Sequence, residues 1–163
     1  MAKAKKLNSM RLLDARGIAY EAHQYDPALR DAREVAAAVG FPAEAVFKTL
    51  VAQAAGAKKP VLVMLPANTT LNLKRLAAEL GAKKAALLPH ADAEKLTGLQ
   101  VGGISALALT HKRWDTILDA RGAAQSHLVI SAGRRGTQLR VETSGLRRLL
   151  NCRLADVADA LGD

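Results

Sequence analysis

Apolar and polar positions change period repeatedly along this chain, so the elements they predict are short. Between residues 9 and 16, Met10 and Leu13 share one helical face, and Gly17 is a natural stop. The next stretch alternates. Ile18, Tyr20, Ala22 and Gln24 oppose Ala19, Glu21, His23 and Tyr25, the period of a half-buried strand that Pro27 ends. Asp31 is placed to cap a helix through Val35 to Val39, closed by Gly40. Two β-rich runs, residues 47–53 and 61–65, flank a connection containing Gly56, Lys58 and Lys59 and read as a hairpin. Asn72 offers a cap for a helix that Gly81 follows. Residues 85–88 form a short strand, and residues 91–97 a short helix with Gly98 behind it. Strands are expected at 116–119, 128–131 and 138–141, then helices over 144–150 and 154–161.

These elements lack the regular strand–helix alternation of a doubly wound sheet. The expected fold is α+β (mixed α/β), with a mixed, largely antiparallel central sheet and surrounding helices. The chain has 163 residues, which suits one domain, here residues 7–163 behind a basic arm at residues 1–6. No internal repeat or low-complexity linker divides it.

Half the residues are apolar but only 3% are aromatic, so the core must be aliphatic and base-stacking platforms are few. The net charge of +9 makes a polyanionic partner plausible without proving one. Cys152 is the single cysteine, which excludes an internal disulfide and gives no support to a cysteine-based zinc site. The four histidines show no metal-ligand spacing and read as polar surface or capping residues. The N-terminus lacks the apolar stretch of a secretory signal. No apolar run approaches the ~18 residues of a membrane span. The expected setting is cytoplasmic, with no membrane partner and no metal or organic cofactor.

Three segments can carry chemistry. In the strand at 47–53, alternation puts Lys48 on a face with Leu50 and Ala52. There the lysine either meets an anion or a water-filled cleft, or snorkels to solvent from an edge. The Gly102–Gly103 pair, followed by Ile104 and Ser105, allows close backbone approach, and exposed N–H groups in such a loop can bind an oxyanion or a phosphate. Its spacing is neither a P-loop nor a dinucleotide fingerprint, and an ordinary turn is the plain alternative. Ser131 opens a glycine-bounded turn, Gly133 to Gly136, carrying Arg134 and Arg135. It reads either as a pocket with two phosphate-reaching guanidiniums or as a solvated hairpin.

Taken in order, VFKTLV, TGLQVGGIS and VISAGRRG resemble the YbaK/EbsC family of aminoacyl-tRNA deacylases, whose fold is that of the editing insertion of bacterial prolyl-tRNA synthetases. AHQYDP, LNLKRLAAELGAKKA and WDTILDA support the resemblance, which spans residues 7–158. It implies a trans-editing enzyme that cleaves the ester of mischarged tRNA, foremost Cys-tRNA(Pro). Cysteine and proline are close in volume, and a synthetic pocket separates near-isosteres poorly.

By that resemblance Lys48, Gly103 and Ser131 are the catalytic candidates. Tyr25, Gly102, Ile104, Ser105, Gly133 and Gln138 are the substrate-binding candidates. Lys74, Lys83, Lys84, Arg134 and Arg135 would attract the acceptor end of tRNA. A prolyl-tRNA synthetase is an implied partner. The resemblance also implies that the substrate's own thiol attacks its carbonyl, with Gly103 and its neighbours supporting the oxyanion. Two positions depart from the family pattern. Ala106 stands where the loop usually has proline, and Gln138 where an aspartate is usual. Both bear on which amino acid is removed. Two alternatives stay open: a deacylase of Ala-tRNA(Pro) or another small residue, and a non-catalytic tRNA- or synthetase-binding module.

Overall fold

A computed structural model of the chain describes residues 6–161. In chain order the elements are α1 (Asn8–Ala15), β1 (Tyr20–Gln24), α2 (Ala32–Val39), β2 (Phe47–Ala54), β3 (Val61–Pro66), β4 (Thr69–Leu71), α3 (Leu73–Glu79), β5 (Ala85–Leu87) and α4 (His90–Thr97). They continue with β6 (Thr116–Asp119), β7 (His127–Ser131), β8 (Thr137–Glu142), α5 (Thr143–Leu150), β9 (Arg153–Ala155) and β10 (Ala158–Ala160). Two 3-10 turns, Leu107–Lys112 and Ala120–Ala124, flank β6.

The caps explain the helix boundaries. Asp31 accepts a hydrogen bond from the Arg33 N–H, and Asn72 from the Arg75 N–H, each satisfying a donor of a first turn. Gly40 and Gly98 end α2 and α4 in the left-handed region.

Five strands form a mixed sheet in the order β5-β2-β3-β6-β9. β2 pairs antiparallel with β3 and β5, while β3–β6 and β6–β9 are parallel. The central sheet is therefore evenly divided. Antiparallel pairing prevails only once the separate β1-β8-β7 sheet and the β10–β4 pair are added. A parallel bridge, Val46 to Val129, joins the two larger sheets.

Between those sheets lies the main core: Phe47, Val51, Leu62, Met64 and Leu118 from one, Leu128, Ile130, Leu139 and Val141 from the other. Leu13 of α1 and Leu146 of α5 close it. The opposite face of the large sheet presents Ala52, Val63, Leu65 and Ile117 to Leu76 of α3 and to Val157 and Ala158. Buried on both faces, β3 reads VLVMLP, with no polar position. A third cluster, Ala36, Val46, Ala67 and Val129, seats α2.

One expected helix does not form. Residues 154–161 are not a helix; they contribute to β9 and β10. β9 completes the sheet beside β6, and the carboxylate of fully buried Asp119 accepts hydrogen bonds from the N–H groups of Val157 and Ala158, 3.1 Å each. With those donors diverted, a helical ladder cannot run through them. β4, the partner of β10, was not foreseen. The basic arm lies outside the described residues except for Lys6, which pairs with Asp14 at 2.6 Å.

Candidate functional site

β2 is longer than its partner β5, which covers only Ala52 to Ala54. The edge of β2 nearer its start is therefore left open, and a cavity of about 420 Å³ sits beside it. Phe47, Lys48, Thr49, Leu50 and Val51 form one wall. Arg30, Asp31 and Arg33 at the start of α2 form a charged rim, and Leu87, Leu88 and His90 form the β5–α4 side. Gly102 and Ile104 of the glycine loop and Ser131 and Gln138 of the β7–β8 hairpin complete it.

Lys48 is held at the cavity wall by donating to the Thr69 carbonyl, 2.6 Å from Nζ. Burial pushes its ammonium below the ordinary lysine value; Asp31 opposes that shift and Arg33 adds to it. A half-desolvated ammonium with one hydrogen bond fixed to backbone has donors left for a ligand. The snorkelling alternative is thereby set aside: the side chain reaches across to β4 rather than out to solvent. The Asp31 carboxyl is held below its ordinary value, chiefly by the Arg33 N–H it accepts from.

Ser131 and Gln138 face each other across the β7–β8 ladder, both buried. The Ser131 Oγ accepts from the Gly133 N–H at 3.1 Å, while Gln138 Oε1 is buried with no partner among the described residues. His23 lies directly opposite Gln138 on β1, packed edge-on against Phe41 with ring centroids 5.0 Å apart. Its Nε2 makes no hydrogen bond among the described residues, the nearest carboxylate oxygen, Glu21 Oε2, lying 3.9 Å away. Tyr25 comes one step further along, its N–H bonded to the Gly136 carbonyl and its hydroxyl buried without a hydrogen bond among the described residues. Such orphan atoms are uncommon in a native interior.

The glycine loop interlocks with the arginine turn. An added Cβ at Gly103 would meet the Arg134 and Arg135 backbone at 2.8 Å. Arg135 Nε donates to the Val101 carbonyl at 2.7 Å, and its side chain lies against Gly102. The Gly103 N–H itself bonds to the Gln100 carbonyl at 2.8 Å. That corrects the oxyanion role expected for it: Gly103 is needed for close approach, and its donor is engaged. The N–H groups of Gly102 and Ile104 have no acceptor among the described residues, and both residues line the cavity.

Of the expected residues, Lys48, Gly102, Ile104, Ser131 and Gln138 thus come together at one cavity. Gly103, Gly133, Tyr25 and Ser105 do not line it; Ser105 is fully buried, its hydroxyl without a hydrogen bond among the described residues. Arg135 is a brace, whereas Arg134 is exposed. Lys74 is exposed on α3, and Lys83 and Lys84 lie ahead of β5, all away from the cavity wall. Ala106 is buried at the head of the 3-10 turn after the loop.

Residues 26–149 match the model of the aminoacyl-tRNA editing domain family. The chain belongs to that family. It is 32% identical, over 96% of its own length and 98% of the relative's, to a protein of Enterococcus faecalis named as a candidate Cys-tRNA(Pro)/Cys-tRNA(Cys) deacylase, EbsC. A crystal structure described as a candidate trans-editing enzyme for prolyl-tRNA synthetase superposes with a TM-score of 0.79. The match covers 96% of this chain and all of that one at 20% identity. The hypothetical protein APE2540 gives 0.84 over 93% of this chain and 99% of its own, at 22% identity. These likenesses establish the fold, and the expected enzyme class, aminoacyl-tRNA deacylation, agrees with the family.

Within this editing fold the sequence reading missed Arg30, Asp31, Arg33 and His90 on the cavity rim. His23, read as a polar surface or capping residue, is part-exposed and does not line the cavity. The rim residues come from loops and helix starts whose position only tertiary packing sets.

Proposed function

We propose that the chain removes cysteine from mischarged tRNA(Pro), with the substrate's thiol as nucleophile. The observation that carries this reading is that a half-desolvated Lys48 ammonium and the unengaged N–H groups of Gly102 and Ile104 line one cavity. That pairing suits an ester, which needs one group to hold its ribose or phosphate and another to meet charge growing on the carbonyl oxygen. No protein nucleophile is required. The thiol sulfur bonds to the carbonyl carbon, the bond to the ribose oxygen breaks, and that oxygen takes up the thiol proton. Water then opens the resulting four-membered thiolactone to free cysteine.

Lys48 positions the terminal ribose, and the N–H groups of Gly102 and Ile104 meet the oxyanion. Ser131 and Gln138 shape the floor that receives the amino acid. Leu87 and Leu161, both unusually exposed for leucines, form apolar lips for the terminal base. Cys152 takes no part: it is half-buried away from the cavity wall, and burial pushes its thiol above the ordinary value. Few side chains near the cavity are placed to read tRNA sequence, so a prolyl-tRNA synthetase that hands over the product is the natural partner.

The test compares tRNA(Pro) carrying cysteine with tRNA(Pro) carrying S-methylcysteine. Rapid release of cysteine and none of its methylated form supports the reading. Equal release of both means that water attacks, and the chain is then a deacylase of small residues such as alanine.

A further inference from the structure

Outside the cavity, a cluster of unpaired positive charge lies at one end of the large sheet among the described residues. Lys58 and Lys59 lie on the connection between β2 and β3, and Lys83 and Lys84 lie immediately before β5. All four are exposed, and none has an ion pair among the described residues. Residues 53–61 and 80–90 contain no aspartate or glutamate. Glu79, at the end of the neighbouring helix α3, is engaged by Arg153.

The two segments are tied to each other. The Ala55 N–H donates to the Lys84 carbonyl at 2.9 Å, and Gln53 Nε2 donates to the Ala57 carbonyl at 2.6 Å, bracing the lysine-bearing connection. The platform is therefore held by backbone. From Lys84, β5 leads in three residues to Leu87 at the cavity mouth, about 10 Å at the rise of a strand. That is about three base steps along a nucleic-acid helix.

We propose that Lys58, Lys59, Lys83 and Lys84 form the docking platform for the phosphate backbone of the acceptor stem, which approaches along β5 and delivers its 3′ end to the cavity past Leu87. The proposal rests on the editing function argued above. It adds Lys58 and Lys59 to the contact surface and moves its weight away from the arginine turn, where Arg135 is already spent on Val101. Lysines without bidentate geometry or nearby aromatic stacking grip phosphate and read no sequence.

The experiment replaces all four lysines with glutamine (K58Q/K59Q/K83Q/K84Q), each exposed and so expected to leave the fold intact, as melting curves verify. Hydrolysis is compared on full-length Cys-tRNA(Pro) and on cysteine esterified to a CCA trinucleotide. The ratio of kcat/KM for the long over the short substrate should fall at least tenfold. The slope of log affinity for uncharged tRNA against log salt should flatten by about 3, since each lost phosphate contact removes about 0.7–0.9. An unchanged ratio with an unchanged slope overturns the platform. If the wild type cleaves neither ester, the editing reading fails instead. The platform is then judged by uncharged tRNA binding alone: flattening supports it, and an unaltered slope refutes it.

Discussion

Replacing Gly103 with alanine tests how the glycine loop and the arginine turn are fitted together. The new Cβ would sit 2.8 Å from the Arg134 carbonyl carbon and the Arg135 nitrogen, and 2.9 Å from the Arg134 Cα. Ordinary contact begins near 3.4 Å, so the two backbones must part by about 0.6 Å. All three atoms belong to the main chain, and no rotamer change can relieve the clash. Overpacking of this kind costs about 1–3 kcal/mol. For a chain of this length that is a fall in Tm of roughly 2–12 °C.

The displacement also reaches the site. It stretches the 2.7 Å Arg135–Val101 hydrogen bond and shifts Gly102 and Ile104 on one side and the turn after Ser131 on the other. Misplacement on this scale can cost about 10²-fold in rate. The assay is single-turnover deacylation of Cys-tRNA(Pro) at saturating enzyme, with calorimetric melting alongside. Gly98→Ala is the control. Gly98 has φ +73° but nothing within 4 Å of an added Cβ, so it should lose about 1 kcal/mol and keep its rate. A Gly103→Ala protein that melts within a degree of wild type and turns over within threefold of it would refute the fitted-loop argument.

Lys48→Ala should lower kcat/KM by at least about 10²-fold, roughly 2.7 kcal/mol of transition-state stabilisation, and Lys48→Arg should rescue little because a planar fork does not replace a compact charge. Because burial depresses the Lys48 ammonium in the folded state, the unfolded chain holds more protons between that lowered value and 10.5. Urea denaturation should therefore show wild type gaining stability relative to Lys48→Met as pH rises through that interval, and no gain below it. Cys152→Ser should keep near-normal turnover, and iodoacetamide should label the folded protein slowly; a folded but inactive variant would make Cys152 the nucleophile. Asp119→Ala strands the N–H groups of Val157 and Ala158, which should cost about 3–5 kcal/mol in denaturant melts, whereas Asp119→Asn, which keeps an acceptor, should cost less.

Most elements were legible because local signals and tertiary demands agree. Asp31 and Asn72 cap where their residue types prefer to cap, and the 47–53 and 61–65 runs pair as the hairpin their composition suggests. The C-terminal segment shows the opposite. Leu154, Val157, Ala158 and Leu161 repeat at helical spacing, yet a stretch that short has little helical stability of its own. Pairing with β6 and β4 and the buried Asp119 carboxylate decide its conformation instead. At the site, the motifs located Lys48, Ser131, Gln138 and the glycine loop, because each carries its signature in adjacent residues. They did not reveal that the Gly103 N–H is consumed by Gln100 or that Arg135 is tied to Val101, since both depend on how separate loops meet.

The central claim is tested most directly by single-turnover deacylation of tRNA(Pro) charged in turn with cysteine, alanine, serine and proline, using wild type and Lys48→Ala. The account predicts fast release of cysteine by wild type, slow or no release of the other three, and loss of at least about 10²-fold in the variant. Wild type that accelerates none of the four over buffer, or a folded Lys48→Ala protein that retains more than about a third of the wild-type rate on the cysteine ester, would contradict it.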